Sequence, residues 1–158
     1  MENKTKRKEL NVSAIENGTV IDHISQGKVL QVVKILGLES FEDQIYLGAN
    51  LESKKFGKKG IIKVSNRYFQ EDDINRIALI SPTATIIEIR DYDIIKKFNV
   101  QVPERVAGIV KCINPKCVTN NQQVPTKFEV FTIDNRLRLK CHYCEKFTNQ
   151  ENFEFNQG

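Results

Sequence analysis

The chain has 158 residues, with 24 lysines and arginines against 20 acidic residues, so its formal net charge is +4 at pH 7. This length allows one domain or two small ones, and so mild a positive charge does not by itself indicate nucleic-acid binding. No run of about 18 apolar residues occurs, so we expect no membrane span. All four cysteines follow position 111, which favours two domains.

The first hundred residues predict an α+β domain. After a basic tail at 1–9, which we expect to be mobile, β-branched runs bounded by glycine predict strands. Val29, Val32, Val33 and Leu36 form the stripe of an amphipathic helix, and three acids at 71–73 mark the start of a second helix. The predicted elements are a strand at 18–24, a helix at 27–36, strands at 44–51 and 60–64, a helix from 71 that ends before Pro82, and a strand at 83–89. This β-α-β-β-α-β order predicts a ferredoxin-like antiparallel sheet with both helices on one face.

Residues 96–105 show no sustained period and include Pro103, so we predict the domain junction there. The proposed domains are residues 1–102 and 103–158. They are expected to share only this junction. The second domain is so small that we expect it to need a stabilising cross-link in addition to its apolar core.

The four cysteines are the candidates for that cross-link, because they form two close pairs. Cys112 and Cys117 are spaced C-x4-C, and Cys141 and Cys144 are spaced C-x2-C. Such pairs deliver four thiolates to one tetrahedral zinc ion, which would be structural because its coordination shell is full. Two disulfides are the alternative, but the sequence shows no sign of an oxidising compartment. Strands at 128–133 and 137–141 complete a predicted zinc-ribbon-like domain, with His142 exposed.

A few polar residues of the first domain are candidates for ligand binding. Asp22 and His23 are adjacent in a strand, so they should point to opposite faces and cannot form a dyad. Lys63 lies among β-branched residues and needs either solvent or an anionic ligand. His23, Lys63 and Lys97 could converge on phosphates if the three elements share one sheet. No phosphate-binding loop or nucleophile motif is present, so we predict no catalytic residue.

Five segments resemble the regulatory chain of aspartate carbamoyltransferase: Gly-Thr-Val-Ile-Asp-His-Ile at 18–24, Leu-Gly-Ala-Asn-Leu at 47–51, Ile-Ile-Lys-Val at 61–64, Val-Pro-Glu-Arg at 102–105 and Leu-Lys-Cys-His-Tyr-Cys-Glu-Lys at 139–146. The resemblance covers roughly residues 10–153. It implies a non-catalytic subunit with a nucleotide-binding domain and a zinc domain, and the sequence itself, without a membrane span, leads us to expect a cytoplasmic protein. The implied partners are the catalytic chain, a second regulatory chain in a homodimer, and the effectors CTP, UTP and ATP, with no nucleic acid and no membrane.

The resemblance also implies roles for individual residues. Asp22 would contact the ribose or base, His23 the phosphates, Lys63 the base and ribose, and Lys97 the triphosphate. The implied pocket lining is Val12, Ile15, Val20, Ile61, Ile89, Tyr92 and Ile94. The zinc ligands would be Cys112, Cys117, Cys141 and Cys144, and the face for the catalytic chain would include Asn114, Tyr143, Glu145 and Lys146. Ile87 departs from the family pattern, in which a polar amide can occur at this position.

Two other functions are compatible with parts of the sequence. An RNA-binding protein could combine a ferredoxin-like sheet with a zinc ribbon, but the predicted third strand, Gly-Ile-Ile-Lys-Val at 60–64, lacks the aromatic residues that stack on bases. A zinc-dependent enzyme would need an open coordination position, which four cysteines do not leave. We therefore expect a regulatory subunit.

Overall fold

The computed structural model describes residues 14–54 and 57–156. The predicted tail at 1–9 and the predicted pocket residue Val12 lie outside the described residues. Among the helices that are described, none combines the length and the apolar character needed to cross a membrane.

The first domain contains a five-stranded antiparallel sheet with two helices. Its strands are β1 (Gly18–Ser25), β2 (Ile45–Ser53), β3 (Gly57–Ser65), β4 (Thr85–Arg90) and β5 (Asp93–Asn99), and its helices are α1 (Val29–Ile35) and α2 (Glu71–Ile80). The strand order is β2-β3-β1-β4-β5. The first four strands and two helices follow the predicted β-α-β-β-α-β order, which confirms the predicted fold class. A 3-10 turn at Leu38–Ser40 follows α1.

Strand β5 was not predicted. Residues 96–99, which were assigned to the junction, belong to this edge strand and pair with β4. The sequence hides the strand because it begins after a tight turn at Asp91 and Tyr92, both with positive φ, and because a register irregularity interrupts its alternation. The connection to the next strand is therefore residues 100–104. The proposed boundary at 102 lies within it.

The core of the first domain lies between the sheet and the helices. Ile21, Ile62 and Ile86 occupy one row of paired positions and are almost completely buried. Helix α1 packs closely because Gly60 has no side chain, since a Cβ atom there would collide with Val29. The buried members of this core are Ile21, Ile24, Val29, Val32, Leu36, Leu38, Ile62, Val64, Phe69, Ile77, Ala78, Ile80, Ala84, Ile86 and Val100.

The second domain is a four-stranded antiparallel sheet in the order β6-β7-β8-β9. Its strands are β6 (Arg105–Ala107), β7 (Lys127–Ile133), β8 (Arg136–Cys141) and β9 (Phe147–Asn149), and helix α3 is the short turn Val118–Asn121. The central hairpin matches the two predicted strands. Its turn is Asp134-Asn135, both with positive φ, as two-residue hairpin turns of type I′ require. The two edge strands were missed because three residues are too few to show a period.

The two domains share more than the connecting segment, contrary to the expectation from sequence. Leu79 of α2 is fully buried in the apolar cluster of the second domain. Phe155 bridges to Val110 and packs against both clusters. We term this contact between the two domains the seam. Backbone hydrogen bonds from Lys111 N–H to the Glu154 carbonyl (2.7 Å) and from Asn156 N–H to the Ile109 carbonyl (2.8 Å) fix the C-terminal segment in it. Leu79 and Phe155 therefore make the domains one packed unit.

We predict that Leu79→Ala lowers the free energy of unfolding by about 2–5 kcal/mol, because it opens a cavity inside the shared seam. Leu30→Ala is the control, since Leu30 lies in the same fold but is 73 % exposed. Its effect should stay within about 0.5 kcal/mol. Urea unfolding measures both values. Equal effects for the two variants would show that Leu79 does not stabilise the seam.

Candidate functional sites

The sheet face opposite the helices of the first domain carries two lysines in one row. Strand pairing aligns Tyr46 with Lys63, Lys63 with Val20, Val20 with Ile87 and Ile87 with Lys97. Paired residues in antiparallel strands point to the same face, so Lys63 and Lys97 both project from this face. They are three strands apart, which corresponds to roughly 14 Å. The two lysines therefore share one face of the sheet, as the prediction of a common phosphate site requires.

Asp22 and His23 lie on the same row of the sheet, contrary to the prediction that they point to opposite faces. The register of β1 against β3 runs from the pair Ile21 and Ile62 to the pair Ile24 and Gly60, so two residues of β1 oppose one residue of β3. This is a β-bulge, and His23 within it has a φ of 55°. The bulge breaks the period-2 alternation and brings Asp22 and His23 together.

Asp22 is the electrostatic centre of this group. Its Oδ1 atom accepts hydrogen bonds from the Lys59 ammonium at 2.7 Å and from the His23 backbone N–H at 2.7 Å. Its Oδ2 atom lies 3.8 Å from His23 Nδ1. Burial lowers the pKa of Lys63, and the negative charge of Asp22 opposes that shift. Asp22 thus interacts with two lysines, Lys59 and Lys63, whose combined formal charge exceeds that of the one carboxylate.

Lys59 was not predicted as a site residue. It falls between the predicted strands at 44–51 and 60–64, whereas in the structure β3 begins at Gly57. The pairing of Lys59 with Ser25 brings its side chain to the bulge. Only the register of β1 and β3 reveals this contact, because no local motif distinguishes Lys59 from its basic neighbours.

The end of the same face beyond the lysine row is apolar. Gly18 pairs with Ile89, and Ile89 pairs with Ile94. Ile94 and Tyr92 are 61 % and 65 % exposed, which is unusual for large apolar side chains. A cavity of about 340 Å³ adjoins this end and is lined by Ala14, Ile15, Glu16, Asn17, Asp43, Gln44, Tyr46, Ser65, Asn66 and Tyr92. The exposed side chains at this end are therefore apolar, whereas the lining of the adjoining cavity is mainly polar and includes Glu16 and Asp43.

Ile87 lies in the lysine row between Val20 and Lys97. Its side chain cannot donate a hydrogen bond, so this position offers only apolar contact.

A larger cavity of about 830 Å³ lies on the helix side of the molecule, between α1, α2 and the C-terminal segment. It contains none of the predicted site residues, and we do not assign the nucleotide site to it.

The four cysteines of the second domain converge on one point. Their sulfur atoms all lie within 4.8 Å of one another, with Cys112 and Cys144 at 3.6 Å and Cys117 and Cys141 at 3.7 Å. A tetrahedral ion with metal–sulfur bonds of 2.3 Å requires sulfur separations of about 3.8 Å. The donor set and its dimensions therefore fit one tetrahedral metal ion.

We term each cysteine pair with its connecting loop a knuckle. Each knuckle contributes one thiol whose pKa is lowered and one whose pKa is raised. Burial raises the pKa of Cys112 and of Cys141. Burial acts in the same direction on Cys117, but hydrogen bonds from the Thr119 hydroxyl and backbone N–H outweigh it and lower the pKa to about 7. For Cys144 likewise, a backbone hydrogen bond at Lys146 and the Asn114 side chain outweigh burial and lower the pKa. A bound cation would deprotonate the remaining thiols.

Helix α3 braces the first knuckle. The Thr119 hydroxyl donates to Cys117 Sγ at 3.2 Å. Asn120 Nδ2 donates to the carbonyls of Cys112 and Asn114, and Asn121 Nδ2 donates to those of Pro115 and Cys117. These bonds fix the shape of the longer C-x4-C loop. His142 is exposed, as predicted, and its ring contacts that of Tyr143.

These features define a two-domain chain with a sheet face that carries two lysines and a separate centre of four cysteine sulfur atoms. Two family models match it: aspartate carbamoyltransferase regulatory chain, allosteric domain, over residues 10–101, and aspartate carbamoyltransferase regulatory chain, metal binding domain, over residues 104–154. The chain belongs to the family of aspartate carbamoyltransferase regulatory chains.

Curated relatives agree with this assignment. The regulatory chain of Bacteroides thetaiotaomicron is 49 % identical over 90 % of this chain and 92 % of its own length. That of Pyrococcus horikoshii is 49 % identical, with 90 % and 95 % covered, and that of Thermococcus sibiricus is 50 % identical, with 92 % and 95 % covered. The match to nearly the full length of each relative agrees with the resemblance seen in the sequence.

We predict that Thr119→Val accelerates metal loss, because it removes the hydroxyl that stabilises the Cys117 thiolate. Outer hydrogen bonds of this kind typically change metal affinity 10–100-fold. Release to a colorimetric chelator measures the effect, and Thr119→Ser should restore the wild-type rate. Thr132→Val, on the exposed part of β7, is the control. Identical release rates for Thr119→Val and Thr132→Val would exclude a role for the Thr119 hydroxyl.

Proposed function

We propose that this regulatory chain is non-catalytic, binds the effectors CTP, UTP and ATP on the open face of its first sheet, and transmits their effect to a catalytic chain. The row that contains Lys63 and Lys97, next to the Asp22–His23 bulge, is the observation that carries the proposal. Its cations lie on one face beside an apolar surface. That combination suits a ligand with a flat base at one end and phosphates at the other.

The proposed contacts follow the family pattern. Lys97 binds the triphosphate, His23 contacts the phosphates, and Lys63 reaches the base and ribose. Asp22 contacts the ribose or base, and its bond to Lys59 holds the carboxylate in position. The separation of roughly 14 Å between the strands that carry Lys63 and Lys97 suits an extended nucleoside triphosphate better than a compact anion.

The apolar part of the pocket is proposed to include Val12 and Tyr92. The exposure of Tyr92 and Ile94 supports this part of the proposal, because large apolar side chains in a contiguous exposed patch often mark a binding surface. Ile87 would contact the nucleotide without a hydrogen bond. We therefore expect the discrimination between nucleotides to come from Lys63 and the apolar end.

We propose that the metal is one structural zinc ion held by Cys112, Cys117, Cys141 and Cys144. Tetrahedral four-sulfur sites also suit iron, but paired C-x2–4-C knuckles in a small ribbon-like domain are typical of zinc. Four thiolates fill the shell, so the ion would bind no substrate. Cysteines that bind a metal instead of forming disulfides are typical of a reducing compartment, and we accordingly propose that the protein is cytoplasmic.

The catalytic chain is proposed to dock on the knuckle surface formed by Asn114, Tyr143, Glu145 and Lys146. Tyr143 is 39 % exposed and Glu145 and Lys146 are exposed, so their side chains are available to a partner. Glu145 has a φ of 64°, which only the folded knuckle maintains. The docking surface should therefore depend on the metal.

We propose that two regulatory chains form a homodimer through the edge strand β2. Its nine residues include one charged side chain, Glu52, and expose Leu47 and Tyr46, whereas the opposite edge strand β5 carries Asp93, Lys96 and Lys97. An apolar edge of this length is a template for pairing with another strand. Light scattering on the isolated chain should give twice the monomer mass, and Leu47→Lys should reduce it to that of a monomer.

We predict that Lys97→Ala weakens the binding of CTP and ATP together, roughly tenfold each, because the lysine ammonium interacts with phosphate and not with the base. Lys96→Ala is the matched control, since Lys96 pairs with Glu88 and its side chain lies over the Phe98 ring on the other face. Lys63→Ala should change the ratio of the CTP and ATP affinities. Calorimetric titration measures all four proteins.

A loss that is confined to one nucleotide in Lys97→Ala would contradict its assignment to the triphosphate. An equal loss of both nucleotides in Lys63→Ala would reduce Lys63 to a general electrostatic role. Wild-type protein that binds neither nucleotide but binds mixed-sequence RNA in a salt-dependent manner would contradict the proposed function itself.

We predict that Cys141→Ser abolishes association with the catalytic chain, because much of the folding free energy of so small a metal domain comes from the metal. CTP binding by the isolated chain should remain within a few fold, since the nucleotide site lies on the sheet of the first domain. The thermal stability of the first domain should nevertheless fall, because unfolding of the second domain would expose Leu79 to solvent.

Gel filtration with the purified catalytic chain and CTP titration of the same sample test both parts of this prediction. Assembly that persists without metal would mean that the docking surface lies elsewhere. Loss of CTP binding together with assembly would mean that the seam makes the two domains one cooperative folding unit.

A further inference from the structure

Three hydroxyl groups lie directly beneath the bulge that carries His23. Thr83 Oγ1 donates to the His23 carbonyl at 2.8 Å. Ser81 Oγ accepts the Ser25 backbone N–H at 3.0 Å and lies 3.3 Å from Thr83 Oγ1. Ser25 Oγ lies 3.2 Å from both of the other hydroxyl oxygens. Ser25, Ser81 and Thr83 therefore form a closed cluster, which we term the hydroxyl cluster.

The hydroxyl cluster has a defined direction. Each hydroxyl has one proton, and that of Thr83 is donated to the His23 carbonyl. Any hydrogen bond between Thr83 and Ser25 or Ser81 must then have the serine as its donor, so these bonds run from the serines to Thr83 and on to His23. The other side of the His23 backbone is held by Asp22, which accepts its N–H. His23 is thus fixed on both sides in a left-handed conformation that non-glycine residues rarely adopt.

We infer that Thr83, supported by Ser25 and Ser81, is the positioning residue that aims His23 at the phosphates of the bound nucleotide. The inference rests on the proposed nucleotide site. Ser81 follows α2 directly and is completely buried, and Leu79, two residues earlier, lies in the core of the second domain. Residues 79–83 therefore connect the bulge to the metal-binding domain by a short, packed path.

The test compares Thr83→Val with the conservative rescue Thr83→Ser. Thr83→Val keeps the shape but removes the proton donor, so we expect CTP binding to weaken about fivefold, the ratio that corresponds to the typical net contribution of one hydrogen bond. Cytidine binding should not change, because it lacks the phosphates that His23 contacts. Thr83→Ser should restore CTP binding. In the His23→Gln background, Thr83→Val should have no further effect.

A second measurement needs no nucleotide. The chain has two histidines, so the ring signals of His23 can be assigned in the NMR spectrum by comparison with His142→Gln. Thr83→Val should shift the His23 signals and Thr83→Ser should return them. Thermal unfolding confirms that each variant is folded.

The outcomes separate this inference from the proposed function. Wild-type chain that does not bind CTP would overturn the proposed nucleotide site, while the NMR comparison would still decide whether Thr83 positions His23. Wild-type chain that binds CTP, with Thr83→Val unchanged, would overturn the inference alone. Equal weakening of CTP and cytidine, or unchanged His23 signals, would also overturn it, because either result would mean that Thr83 acts only on the general stability of the sheet.

Discussion

The extra residue in the bulge of β1 is the constraint on which the first domain depends. Strand β1 pairs with β3 on one side and β4 on the other, so it is central to the sheet. Ile21 and Ile24 are both fully buried although they are three residues apart, which a regular strand with a period of two would not allow. Only a bulge between them places both isoleucines in the core and leaves Asp22 and His23 together outside it. One backbone irregularity therefore creates both the packing and the site.

The second domain is too small to be stabilised by its apolar core alone, and it has two additional supports. A metal bound by the four cysteines would link its knuckles, and the seam with the first domain buries Leu79 and Phe155. The two supports lie in one continuous cluster, because Cys112, Cys117 and Cys141 belong to the same buried group as Leu79. Metal binding and domain contact are therefore energetically linked.

Local features were predictable from the sequence, whereas features of register were not. The cysteine pairs, the amphipathic stripe of α1 and the central hairpin of the second domain depend on residues close in the chain, and the structure agrees with each. The prediction that Asp22 and His23 point to opposite faces was wrong, because a bulge depends on the register with the partner strand and not on the local sequence. The contact of Lys59 with Asp22 was missed for the same reason. Strand β5 was missed because its lysines, at an exposed edge, give no apolar alternation.

The seam limits how the two domains can communicate. Allosteric coupling between two sites is typically worth about 1–3 kcal/mol and must come from different ligand affinities in two states. Removing a buried leucine costs about 2–5 kcal/mol, so a change that exposed Leu79 would consume all or most of the free energy that a typical coupling supplies. On the proposed function, we therefore expect a nucleotide on the open face to leave the seam closed. It would instead shift α2 and the second domain together, with the packing around Leu79 preserved, and residues 79–83 connect the bulge to that unit.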